Sequence, residues 1–359
     1  MGTGISKLAV MTLLLVGLPL LGLIPAGIPV RGYLEFPPHT AHLPQESFSY
    51  PYFFLTLAFL LLLVSPVVVR GISMSSNIEH TRKRGCSFPR WGIISVAFGV
   101  ISWILAWSRF PFFAPLQRHT FTPLWLSYIF TVNALTFMRS GTCLFIERRK
   151  YFLTLFPLSS LFWWFFEFLN RFVHNWYYTG AKEFGPLGYI FFATISFSTV
   201  LPAVLSTREF LLTFPLVRDG FRDWFPVKIG NPRRIASLCL ILFGIGLSSL
   251  GVLPDYLYPL LWVSPLGVII SLQVTYGENT VLTNLARGDW TLPISSAFAA
   301  LICGFFWEMW NFYSLAKWSY SIPHLHGFRI FEMPLIGYGG YIPFGLECAA
   351  FTELFHPRN

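Results

Sequence analysis

Two short polar motifs offer the chain's clearest prospects for chemistry. Glu167 is followed three residues later by Asn170, and Glu308 by Asn311. A spacing of three puts both side chains on one helix face, so each pair presents a carboxyl beside an amide. If the two faces meet in a water-poor setting, their carboxyl pKa values are driven apart and one stays protonated as an acid. The same groups offer oxygens to a cation. The plainer alternative is that they bond neighbouring helix ends at headgroup depth. Glu167 and Glu308 are therefore the first candidate catalytic residues. Asn170, Asn311, Trp176, Trp318, Tyr189 and Tyr338 are the candidate binding residues around them.

Glu347 is the third candidate. It lies mid-way along the last apolar segment, where a charge costs at least about 2.5 kcal/mol. Arg139 is expected at similar depth, with Asn133 about two turns further out. An Arg139–Glu347 ion pair is the economical reading, either fixing packing or forming a proton or substrate site. Glu353, nearer the end, reads as solvated.

Other chemistry is poorly supported. His39, His42, His119, His174, His324, His326 and His356 fall in loops or at segment ends, and His80 in a loop. No apolar segment carries a central histidine, which argues against bis-His haem in the bilayer. His324-x-His326 with Glu332 or Glu308 is a weak metal candidate. Cys86, Cys143, Cys239, Cys303 and Cys348 are isolated and read as small apolar fillers. There is no phosphate-binding glycine loop, Asp-rich prenyl-diphosphate motif, HExxH or GxSxG. No cofactor is expected, and ATP-driven function within this chain is excluded.

The elements that must position these residues are membrane helices. Of 359 residues, 54% are hydrophobic and only 11% charged, and mean hydropathy is +0.59. Soluble domains carry about 25% charged residues, so lipid must solvate most of this surface. With about 20 apolar residues per span, candidate spans fall at 8–29, 52–69, 91–108, 123–146, 152–170, 186–206, 235–252, 256–274, 293–313 and 335–355. The expectation is an all-α integral membrane protein of about ten transmembrane helices. The opening Met1–Ser6 matches a myristoylation pattern only loosely, and the first run reads as a retained span rather than a signal peptide.

Arg and Lys cluster after even-numbered spans, at Arg82, Lys83, Arg84 and Arg90, then Arg148, Arg149 and Lys150, then Arg208 to Arg234. Loops after odd-numbered spans hold only scattered ones, among them Lys182. Both termini are therefore expected in the cytoplasm of a cell whose inner membrane holds the protein. The net charge of +9 follows from that bias and does not imply nucleic acid. Residues 208–230 alternate aromatic and basic types and read as an amphipathic cytoplasmic linker against anionic lipid.

Rare residue types recur in order along the chain. Pro89-Arg90 matches Pro232-Arg233, and Gly141 matches Gly277. Pro157-Leu-Ser-Ser matches Pro293-Ile-Ser-Ser, and Trp176-x-Tyr178 matches Trp318-x-Tyr320. Pro186-Leu187 with Gly188-Tyr189 matches Pro334-Leu335 with Gly337-Tyr338. This predicts two parallel four-helix repeats, at 88–207 and 231–359, after two N-terminal helices in 1–87.

Three functions remain open. The first is binding or processing of an amphipathic, lipidic ligand at an aromatic-lined carboxylate site near the outer face. The second is a proton-coupled secondary transporter using Glu347 and Arg139. The third is a non-catalytic subunit of a membrane complex.

Overall fold

The computed structural model describes residues 2–37, 47–76, 85–180 and 184–355. The loop residues His39, His42, His80, Arg82, Lys83, Arg84, Lys182 and His356 lie outside the described residues.

Among the described residues, fourteen α-helices carry the fold. They are α1 (Gly2–Leu23), α2 (Tyr50–Ser75), α3 (Arg90–Trp107), α4 (Phe121–Ser140), α5 (Leu144–Glu147), α6 (Arg149–Val173), α7 (Gly185–Phe197) and α8 (Val200–Leu211). Then follow α9 (Pro215–Asp219), α10 (Pro232–Ser249), α11 (Pro254–Leu257), α12 (Leu260–Thr275), α13 (Thr291–Phe312) and α14 (Tyr341–Glu353). Among the described residues, seven helical segments are long and apolar enough to cross a membrane: α2, α3, α4, α6, α7 continued by α8, α10 and α13. The apolar part of α1, Lys7–Leu23, and α12 are shorter. The last expected span divides into a 3-10 turn at Leu335–Gly340 and the short α14.

Helix ends follow local chemistry. Pro89 and Pro232 sit at the starts of α3 and α10, where a missing N–H goes unnoticed. α4 stops at Ser140, short of the expected 146, because Gly141 turns left-handed at φ 80° and closes its C-terminus. Gly277 does the same after α12, at φ 74°. Between α7 and α8 the helix breaks, and the Ser159 hydroxyl of α6 bridges the gap. It donates to Phe197 O and accepts from Leu201 N at 3.0 Å.

α3 packs along α4, and α10 along α12. α4 then lies against α8, and α12 against α14. α8 also meets α6 and α13, and α13 meets α14, so α8 and α13 form the centre. The α13–α14 crossing is close: a Cβ at Gly345 would stand 2.2 Å from Ser296 O. α1 lies on α10 and α12, its N-terminal end held by Lys7 Nζ donating to Glu278 Oε2 at 2.6 Å. α2 meets chiefly the Leu335–Gly340 turn and α9. Its C-terminal part is held by Arg70, which donates to Gly220 O at 3.0 Å and Asp223 O at 3.1 Å.

Two features were not part of the expectation. Residues 208–230 are tied down along part of their length. Trp224 N and Val227 N donate to Gly288 O and Leu285 O, and Trp290 N to Phe221 O, pinning the segment to the loop before α13. The fold also contains two small antiparallel ribbons, β1 (Trp176–Thr179) with β2 (Lys317–Tyr320), and β3 (Arg329–Ile330) with β4 (Met333–Pro334). The first lies directly over the carboxylate motifs.

Candidate functional site

α6 ends at Val173 and α13 at Phe312, and each is followed within a few residues by one strand of the β1–β2 ribbon. In a strand, alternate side chains share a face, so Trp176 and Tyr178 point one way, as do Trp318 and Tyr320. Both strands turn that face toward the helix ends below.

The asparagines anchor the strands. Asn170 Nδ2 donates to Trp176 O at 2.8 Å while its Oδ1 accepts from Trp176 N at 3.3 Å. Asn311 repeats the pair on Trp318, at 2.8 and 2.9 Å. Each amide thus replaces a backbone partner for the first tryptophan of its strand, which leaves little of it for a ligand.

The glutamates sit behind these anchors, each 0% exposed. Glu167 Oε1 accepts from Tyr178 Oη at 2.6 Å, Trp176 Nε1 at 2.9 Å and Trp163 Nε1 at 3.1 Å. Glu308 Oε1 accepts from Tyr320 Oη at 2.6 Å and Tyr341 Oη at 3.0 Å. Here the indole of Trp318 donates to Tyr320 Oη instead, at 2.8 Å. In both cases Oε1 takes every bond, and Oε2 is buried with no partner. Burial first, and then the adjacent carboxylate, push the hydroxyls of Tyr178 and Tyr320 well above the ordinary phenol range, so they remain donors.

Aromatic rings lie between the two carboxylates. Trp163 packs on Phe344 edge-to-face at 5.9 Å, Phe344 on Trp307 at 6.2 Å, and Trp307 stacks on Tyr341 at 6.1 Å. Trp262 stacks on Trp176 at 5.7 Å and on Phe166 at 5.1 Å. Each glutamate is therefore held by its own set of donors. Tyr189 lies beside this set, its ring 6.3 Å from Tyr178. Tyr338 lies 6.0 Å from Tyr341, with its hydroxyl donating to Ile330 O.

The remaining candidates lie elsewhere. Arg139 does not pair with Glu347. It occupies the last turn of α4, where its Nε donates to Thr213 Oγ1 at 2.7 Å and its guanidinium lies 3.8 Å from the Phe214 ring centre. A long side chain so near a helix end reaches the interface rather than the interior. Asn133 is engaged structurally: its Nδ2 donates to Ile129 O and Ser206 Oγ, both at 2.9 Å, and its Oδ1 accepts from Phe145 N at 3.2 Å. Glu347 is 0% exposed, and neither oxygen has a hydrogen-bond partner.

The metal candidate also lacks its third ligand. Glu332 is bonded by Lys317 Nζ, and Glu308 by its tyrosines. Among the described residues no three His, Cys, Asp or Glu side chains converge.

No protein family, no curated protein and no solved structure matches the chain.

Four residues of the site are not among the candidates drawn from the sequence: Trp163, Tyr178, Tyr320 and Tyr341. Tyr178 and Tyr320 have a visible signal, because Trp-x-Tyr alternation in a strand puts the tyrosine on the tryptophan's face. Trp163 has one too, four residues before Glu167 on the same helix face. Tyr341 has none, since the turn at Leu335–Gly340 alone brings it to Glu308.

Proposed function

We propose that the protein binds an amphipathic, lipidic molecule near the outer face of the inner membrane, at the carboxyls of Glu167 and Glu308. The observation that carries this reading is the bare second oxygen on each. A buried polar atom without a partner is destabilising by about 1–3 kcal/mol, and two such atoms stand in equivalent places. A polar headgroup bonded to Oε2 removes that penalty, while the chain of the ligand finds apolar ring faces at Trp163, Trp307 and Phe344. With the proton on Oε2, either carboxyl acts as a general acid toward a hydroxyl, carbonyl or double bond. Tyrosine and tryptophan donors at Oε1 steady the anion left behind.

The setting proposed for this site is a chain crossing the inner membrane about ten times, with both termini cytoplasmic. Its body is two parallel four-helix units at 88–207 and 231–359, related by an axis along the membrane normal. In support, the left-handed glycines after α4 and α12 correspond, as do the two asparagine anchors and the two Tyr–Glu bonds.

Native mass spectrometry of the protein purified in mild detergent tests the reading. The expected result is a lipidic adduct that disappears in Glu308→Gln and Glu167→Gln at unchanged thermal stability. Wild-type protein free of any adduct, or variants that keep theirs, would count against it.

A further inference from the structure

Glu347 belongs to neither outer half-site, and nothing described above uses it. It lies on α14 at the crossing with α13, fully buried, with both carboxyl oxygens lacking a hydrogen-bond donor. An ionised carboxylate so placed, with no donor and no counter-ion, is far more costly than the neutral acid.

The charged and titratable groups around it do not relieve that cost. From α8, Arg208 lies within electrostatic reach of the neighbouring Cys348, but its guanidinium bonds Glu209 Oε1 at 3.2 Å. From α13 come Cys303, a thiol, and Glu308, which is held by its tyrosines. α6 contributes Glu167 and Arg171, the former held likewise and the latter donating to Tyr33 O. α12 carries no titratable residue, and the Leu335–Gly340 turn only Tyr338. On its own helix stand Tyr341, Cys348 and Glu353. A metal ion wants several oxygens, and no such group converges among the described residues.

A proton is the ligand left. Exchangeable groups on α4, α8 and α13 bond one another and leave the carboxyl alone. Tyr128 Oη and Thr207 Oγ1 are 2.9 Å apart, and Thr207 Oγ1 and Cys303 Sγ 3.4 Å. Buried intramembrane carboxyls of this kind serve proton relays.

We propose that Glu347 is a proton-binding site in the membrane interior, a carboxyl held there in its neutral form. This is separate from the outer carboxylates and stands or falls without them.

Infrared spectroscopy of the full chain in lipid nanodiscs tests the proposal. At neutral pH the wild-type protein should show a protonated-carboxyl C=O band that shifts in heavy water and is lost in Glu347→Gln. Because glutamine mimics a neutral acid, that variant should also keep wild-type thermal stability. Identical spectra, a band unmoved in heavy water, or a variant that fails to accumulate would each overturn the proposal. A second measurement needs no variant: dicyclohexylcarbodiimide, which attacks protonated carboxyls in apolar surroundings, should modify Glu347 in the native protein, with labelling that fades as pH rises. Absence of that adduct counts equally against it.

Discussion

Tyr177 and Ser319 face each other at the centre of the β1–β2 ribbon, so that Trp176 falls opposite Tyr320 and Tyr178 opposite Trp318. Read from either strand, the ribbon presents tryptophan and tyrosine in the same places. This register explains why one structural device appears at both helix ends: asparagine fixes the tryptophan backbone, and the tyrosine two residues on reaches the glutamate. Directly opposed residues in antiparallel strands have Cα atoms about 4.5–5.5 Å apart, within disulfide range. Tyr177→Cys with Ser319→Cys should therefore cross-link on mild oxidation. After proteolysis between the strands, the halves should stay joined until reduced. A pair that remains two free thiols would refute the register.

The two half-sites differ in how much rests on the tyrosine. At Glu167, loss of Tyr178 leaves the indoles of Trp176 and Trp163 on Oε1. At Glu308, loss of Tyr320 leaves the bond from Tyr341, among the described residues, and also removes the acceptor of Trp318 Nε1. Tyr320→Phe should then be the more damaging change, by about 1–2 kcal/mol, since it breaks one bond to a carboxylate and strands one indole. Unfolding titrations in mixed micelles would measure both variants, and equal losses would contradict the difference in wiring.

Much of this arrangement is readable from residue order, and the unread part has physical causes. The apolar runs at 52–69, 91–108 and 293–313 are helices in the structure because hydropathy and length leave the backbone no other way to satisfy itself in lipid. The stop at Gly141 is the sort of end a glycine supplies. Four-residue strands such as Trp176–Thr179 carry too little periodicity to stand out beside 25-residue helices. α4 stops at Ser140 rather than at the expected 146, so Arg139 sits in its last turn and not at mid-depth, which is why Arg139 and Glu347 look paired in sequence and are separate in space. The cage around Glu308 draws on α13, β2 and α14, and only the fold brings these together.

That separation is measurable. With Arg139 bonded to Thr213 and stacked on Phe214, a double-mutant cycle between Arg139→Ala and Glu347→Gln should give a coupling below about 0.5 kcal/mol, the ordinary limit for independent sites. Arg139→Ala alone should destabilise modestly, through the lost hydrogen bond and the cation–ring contact. A coupling of several kcal/mol would restore the ion pair that the geometry denies.

His174 should make stability fall with acidification. It caps α6 in the left-handed region at φ 50°, with its N–H on Asn170 O at 2.7 Å. Its Nδ1 is buried without a partner, and burial holds its pKa below the ordinary 6.5. The unfolded chain therefore takes up a proton near pH 6.5 that the folded chain refuses. Stability is complete above that value and declines as pH falls below it, by at most about 1.4 kcal/mol per pH unit for one proton. His326 is shifted the same way, by burial and then by Arg329 and His324, and adds to the slope. Asparagine tolerates left-handed backbone, so His174→Asn should keep the cap and flatten the profile. Thermal midpoints recorded from neutral to mildly acidic pH decide it: if wild type and variant decline in parallel, His174 is not the group that titrates.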